Sequence, residues 1–253
     1  MARAATDGLT APPFHGLALE WPRAVGTAAR LPFHWRALMD APRGDGRPVM
    51  LLPGLFNSDR SNFALRRYLV ALGYEARGWG LGRNFGQRTI GADAAVLVDR
   101  VAAVAGEAGQ PVTLIGVSLG GIMARLMAHR APDLVREVIT VSAPFAGPAT
   151  ATNVWRAYEM ISGTRIDDPE VLALGREAAA PLPVPATAIW SASDSFVNGY
   201  ACHDAHCHAI EVQSSHIFVQ MHDAVLRAVA GVLGAGVQRP GEPLEGETSL
   251  RSS

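Results

Sequence analysis

The run Gly116-Val117-Ser118-Leu119-Gly120-Gly121 holds a serine in a setting that could make it a nucleophile. An apolar, β-rich stretch, Val112 to Ile115, leads into it. Ile122, Leu126 and Met127 follow at helical spacing until Ala131-Pro132 stops the helix. A strand that turns sharply into a helix lifts the serine hydroxyl clear of the sheet. Such a turn closes only where side chains are absent, and Gly116 and Gly120 fill the two crowded positions. The helix from Leu119 to about Arg130 then points its N-terminus at Ser118, where its dipole and free N–H groups favour negative charge on an acyl oxygen.

A serine hydroxyl needs a base to take its proton, most often a histidine oriented by a carboxylate. Asp194 follows a strand expected over Pro185 to Ser191, and His216 follows a last short strand over Ala209 to Val212. All three residues therefore fall just after strands, in the order Ser118, Asp194, His216, and are expected to meet at one sheet edge. The rivals are placed less well. His222 sits in the closing helical pattern and His129 at the far end of the helix after Ser118. His203, His206 and His208 precede the last strand, and Asp204 does not follow a strand directly. Ser142 ends a strand but lacks flanking glycines, so a structural role is expected.

The acyl oxygen needs two donors. Leu119 N–H, directly after the serine, is one. The other is expected from Pro53-Gly54-Leu55-Phe56-Asn57, the loop after the strand Pro48 to Leu52, with Leu55 as the donor and Phe56 as runner-up. The Gly-rich loop Gly80 to Gly86 has neither the phosphate-cradling lysine nor the dinucleotide-binding glycine spacing. Cys202-His203-Asp204-Ala205-His206-Cys207-His208 has ligand types that suit zinc, but all lie in one short loop without separated half-sites. A surface loop, with or without a local disulfide, is expected there, and no metal.

The elements that must hold these residues alternate along the chain. One or two short helices are expected in Leu17 to Met39, where Pro22 and Pro32 break any long one. A helix through Phe63, Leu69 and Leu72 is capped by Asp59 or Ser61 and ends at Gly73. A strand over Tyr74 to Trp79, a helix over Ala92 to Ala105 and a strand over Val135 to Val141 follow. Helices over Thr150 to Ile161 and Asp168 to Ala179 exceed a simple crossover and read as a small cap, at about residues 147–181. A closing helix runs from Met221 to Leu233. The pattern predicts an α/β domain over 16–236, with a mostly parallel central sheet covered by helices on both faces. Residues 1–15 and 237–253 are expected to be flexible.

With 253 residues, 49% hydrophobic, the chain suffices for one well-packed domain. A net charge of −1 gives no basic field for nucleic acid. No apolar run reaches the roughly 20 residues a transmembrane helix needs, and no signal peptide is evident, so a cytoplasmic location is expected.

Taken together, the motifs are similar to those of the α/β-hydrolase superfamily, specifically its bacterial esterase/lipase-like members. The matching stretches are Leu51 to Leu55, Gly78 to Asn84, Gly116 to Gly121, Ser142 to Phe145, Ser193 to Val197 and Ser214 to His216. The resemblance implies the α/β-hydrolase fold, a Ser118–His216–Asp194 triad and no cofactor. Many relatives carry His-Gly where this chain has Pro53-Gly54, and another residue where it has Val117, which leaves the substrate class open. The expected activity is hydrolysis of a small carboxylic ester through an acyl-enzyme. An acyltransferase or thioesterase would use the same triad, and a non-catalytic binding protein would keep only the fold. Trp155, Tyr158 and Ile161, at i, i+3 and i+6 on the cap, are expected with Phe56 to line an acyl pocket, although the cap residues would serve equally as core packing.

Overall fold

The computed structural model describes residues 8–163 and 165–236, so the tail at 237–253 and residues 1–7 lie outside the described residues. Its short aliphatic runs form six strands: β1 Pro48–Leu52, β2 Glu75–Gly78, β3 Val112–Val117, β4 Val135–Val141, β5 Ala186–Trp190 and β6 His208–Glu211. They make one sheet in the order β2-β1-β3-β4-β5-β6, and every neighbouring pair is parallel. The helices are α1 Leu17–Leu38, α2 Phe63–Leu72, α3 Gln87–Ile90, α4 Ala95–Ala108, α5 Leu119–Arg130, α6 Trp155–Ser162, α7 Pro169–Ala179 and α8 Asp223–Ala235. No described helix is long and apolar enough to cross a membrane.

Side chains alternate between the two faces of each strand, and at the centre of the sheet helices bury both. Val49 and Leu51 of β1 join a core with Leu38 of α1, Leu65 and Leu69 of α2, and Leu226 and Val229 of α8. Met50 and Leu52, on the other face, pack with Leu97 and Val101 of α4 and Met123 and Met127 of α5. Burial on two faces explains why β1 and β3 read as continuous apolar runs, all of whose residues are buried.

The structure corrects three local expectations. Helix α1 is continuous through Pro22 and Pro32. Its buried residues Ala24, Leu31 and Leu38 recur every seventh position, and that tertiary packing outweighs the roughly 3 kcal/mol cost of each interior proline. Both prolines lie on the exposed side, where water can satisfy the carbonyl each leaves unpaired. Neither Asp59 nor Ser61 caps α2, whose N-cap is Asn62 without a side-chain bond. The Asp59 carboxylate instead accepts from Trp79 N–H (2.9 Å) and Gly80 N–H (3.1 Å), tying the α2 entry to the end of β2. The helix expected over Ala92 to Ala105 starts with a 3-10 turn at Ala92–Ala94, and α4 runs on to Ala108.

Within the stretch expected to be loose, the carbonyls of Thr10 and Pro12 accept from the side-chain amides of Asn198 and Asn153, each at 2.9 Å. Helices α6 and α7 lie between β4 and β5, and α7 is fastened to α5. Arg125 of α5, fully buried, donates to the carbonyls of Ala178 and Ala180 at the end of α7 and stacks over the Phe145 ring at 3.7 Å. Burial lowers the Arg125 pKa to about 10. Arg130 adds a two-pronged pair with Glu177 (2.8 and 2.9 Å).

Candidate active site

Ser118 stands between β3 and α5 at φ 51°, ψ −122°, a conformation that costs a non-glycine residue energy and is held by its surroundings. A side chain at Gly116 would strike the Gly120 carbonyl, and one at Gly120 would strike the Leu52 carbonyl, so these glycines are what allow the turn to close. Backbone bonds register the turn on the sheet: Ser118 N–H donates to Val141 O, and Ser142 N–H to Ile189 O, both at 2.9 Å.

Asp194 and His216 come together at the ends of β5 and β6. His216 Nδ1 lies 2.7 Å from Asp194 Oδ2, and the carboxylate is 2% exposed. The other oxygen, Oδ1, accepts from Phe196 N–H and Val197 N–H, both at 2.9 Å, so the carboxylate is fixed by its own loop. Ser191 Oγ links that loop to the next by donating to Ser214 O (3.0 Å), and the Phe196 ring covers the imidazole at 5.6 Å. Burial disfavours the imidazolium, but the charge and hydrogen bond of Asp194, with a smaller contribution from Glu20, outweigh it. The His216 pKa is therefore raised above its ordinary value. Among the described residues Ser118 Oγ makes no hydrogen bond; a nucleophile–base bond often tightens only in the substrate complex.

The loop after β1 lies against the serine. A Cβ at Gly54 would sit 3.4 Å from Ser118 Cβ. Phe56 N–H donates to Asn84 O at 2.7 Å, which commits it away from the Ser118 cavity. Leu55 lines the same cavity as Ser118 and Leu119. Asn84, fully buried, braces this loop: its side chain donates to Pro53 O (2.7 Å) and accepts from Gly86 N–H (2.9 Å), and its own N–H donates to Asn57 O (2.8 Å).

A cavity of about 680 Å³ opens on Ser118, in the size range of small-molecule sites. Trp155 and Tyr158 of α6, Leu172 of α7 and Phe145 line it. Trp155 and Tyr158 are only half-buried, as residues facing a cavity would be. Phe56 is a correction: among the described residues of the cavity wall it is absent, and its ring packs against Phe85 at 6.2 Å. The Ile161 side chain lies outside the described residues.

The Cys/His loop does not assemble a ligand set. Cys202 and Cys207 are both free thiols. Burial pushes the Cys202 pKa well up and that of Cys207 to about 11. The His203 ring stacks on Trp190 at 4.4 Å, while Asp204 and His206 join the cavity wall. Among the described residues no group of three His, Cys, Asp or Glu could hold a metal ion.

Comparison with known proteins agrees with this architecture. Residues 92–182, which include the Ser118 turn, match the family model described as alpha/beta hydrolase fold. The protein has the α/β-hydrolase fold. No curated protein matches the chain by sequence. Among solved structures, this hydrolase-fold chain is similar to a mature lipase from Bacillus licheniformis, with TM-score 0.59, 16% identity, and 76% of this chain and 94% of that one covered. It is also similar to a monoacylglycerol lipase from Paleococcus ferrophilus, with TM-score 0.54, 16% identity, and 77% and 96% covered. A thioesterase domain from the curacin biosynthetic pathway aligns with TM-score 0.50, 14% identity, and 77% and 91% covered. At such identities the likeness concerns the fold.

Two residues at this hydrolase-fold site were not singled out by their sequence context. Asn84 belongs to a Gly-rich loop, and nothing local in that run marks it for the bonds it makes. Glu20 is a fully buried carboxylate on α1, and the only hint was one acid within Leu17-Ala18-Leu19-Glu20-Trp21.

Proposed function

We propose that the protein hydrolyses small carboxylic esters through an acyl-enzyme on Ser118. The reading is carried by the buried Asp194–His216 pair, 2.7 Å apart, on the sheet edge that also presents the strained Ser118. In this scheme Asp194 holds His216 Nδ1–H and leaves Nε2 to take the Ser118 proton as Oγ attacks the acyl carbon. The N–H groups of Leu55 and Leu119 stabilise the resulting oxyanion, each worth roughly 3 kcal/mol in the transition state. His216 returns the proton to the leaving alcohol, and water then cleaves the acyl-enzyme by the same base. The apolar wall beside Ser118 supports an acyl chain rather than a charged or peptide substrate.

Turnover of p-nitrophenyl butyrate by wild type and Ser118→Ala, together with labelling by a fluorophosphonate, tests the scheme. The variant should lose several orders of magnitude in kcat and all labelling. Unchanged turnover in folded Ser118→Ala, or no labelling of folded wild type, would refute it.

A further inference from the structure

Glu20 lies in the first turn of α1 and is 0% exposed. A carboxylate so placed needs partners, since burying an unsatisfied charge is costly. Its partners are backbone amides of the two loops that carry the acid and the base. Oε1 accepts from Ser195 N–H at 3.0 Å. Oε2 accepts from His216 N–H at 2.8 Å and Ile217 N–H at 3.3 Å. Ser195 directly follows Asp194, and the second amide is that of His216 itself, so one side chain spans both loops within a residue of the reacting pair.

We propose that Glu20 is a positioning residue that locks the Asp194 loop and the His216 loop in register; the assignment rests on the proposed Ser118 chemistry. The rest of the α1 entry is built around this contact. Gly16 packs so tightly on the acid loop that a Cβ there would come within 2.5 Å of Ser195 Oγ. Arg23 donates to Ser193 O at 3.2 Å. On the other side, the Trp21 ring meets Phe218, two residues past His216, at 6.2 Å and nearly perpendicular. Helix α1 is thus a strut across the back of the pair, and Glu20 is its only buried charged side chain among the described residues.

The arrangement has an electrostatic consequence. The charged groups acting on the His216 ring are Asp194, through Nδ1, and Glu20, through the backbone side. Both favour the imidazolium that forms as Ser118 gives up its proton. Arg23, at the exposed end of the acid loop, bonds to a carbonyl and not to the ring.

Glu20→Gln tests the proposal. The substitution keeps shape and one acceptor but turns an NH₂ group toward a backbone N–H and removes the charge. Expected are a fall in kcat of roughly 10²-fold, from a base displaced relative to its acid and nucleophile, with KM little changed. The acidic limb of kcat/KM should also move to lower pH, because His216 loses a charge that holds its proton. A lower melting temperature with kcat and acidic limb unchanged would make Glu20 merely structural and overturn the proposal. Should Glu20→Gln fail to fold, Glu20→Asp carries the test. It retains the charge one methylene short, so the limb should stay and kcat should fall, whereas wild-type kcat in Glu20→Asp would overturn the proposal. Ser118→Ala run alongside separates the two readings: loss of turnover there with an unaffected Glu20→Gln enzyme defeats only the positioning role, and retained turnover there defeats the Ser118 chemistry.

Discussion

Asp194→Asn gives the sharpest test of the proposed roles of Asp194 and His216. In the wild type Oδ1 accepts from Phe196 and Val197 N–H, and Oδ2 faces His216 Nδ1. Asparagine can keep Oδ1 and both backbone bonds, so the loop should hold. The change falls entirely on the other arm, where an NH₂ donor replaces the acceptor. His216 Nδ1 must then accept, its proton moves to Nε2, and the nitrogen that should take the Ser118 proton already carries one. Such a tautomer reversal costs about 10⁴ in kcat, roughly 5.4 kcal/mol of transition-state stabilisation. The variant also loses the largest influence that raises the His216 pKa, while burial still opposes the charge, so the pKa falls. The stability consequence has a definite sign. In wild type the folded pKa lies above the unfolded one, so His216 contributes stability fully below pH about 6.5 and loses it as pH rises through the raised folded value. Asp194→Asn should therefore be less stable than wild type at acidic pH and closer to it at alkaline pH. The assay is p-nitrophenyl butyrate turnover together with thermal melting, both from pH 5 to 9. A folded Asp194→Asn protein retaining more than about a tenth of wild-type kcat would refute the assignment, since the tautomer argument requires far more.

Two further substitutions probe the surroundings. Asn84→Ala removes the side chain that braces the loop carrying Leu55 and leaves Pro53 O and Gly86 N–H without it. Melting should show a loss of about 1–3 kcal/mol per stranded group, and kcat should drop about 10²-fold with KM nearly constant; a normal kcat in the folded variant would release Leu55 from the oxyanion role. Trp155→Ala should blunt the gain in kcat/KM per added acyl methylene, about 0.8 kcal/mol or roughly fourfold, with little change in melting temperature. A loss of roughly 3–5 kcal/mol in stability with an unchanged chain-length profile would instead mark Trp155 as core.

The sequence by itself determined the local geometry of the turn at Ser118 and the plan of the sheet. Gly116 and Gly120 are required by collisions between backbone atoms only a few residues apart, or on the adjacent strand, and that requirement is written in the glycines themselves. Strand-end placement likewise singled out Asp194 and His216, because parallel strands with alternating helices leave their C-terminal ends on one edge. Tertiary structure decided what depends on long-range partners. Whether α1 would break at Pro22 and Pro32 turned on three buried residues, Ala24, Leu31 and Leu38, packing against the body, which propensity alone cannot weigh. The N–H of Phe56 was committed by one bond to Asn84, 28 positions away. Glu20 was illegible because a carboxylate amid apolar neighbours has no local signature. Its meaning comes from backbone amides 175 to 197 positions later, brought to it only when the first helix closes over the last two strand ends.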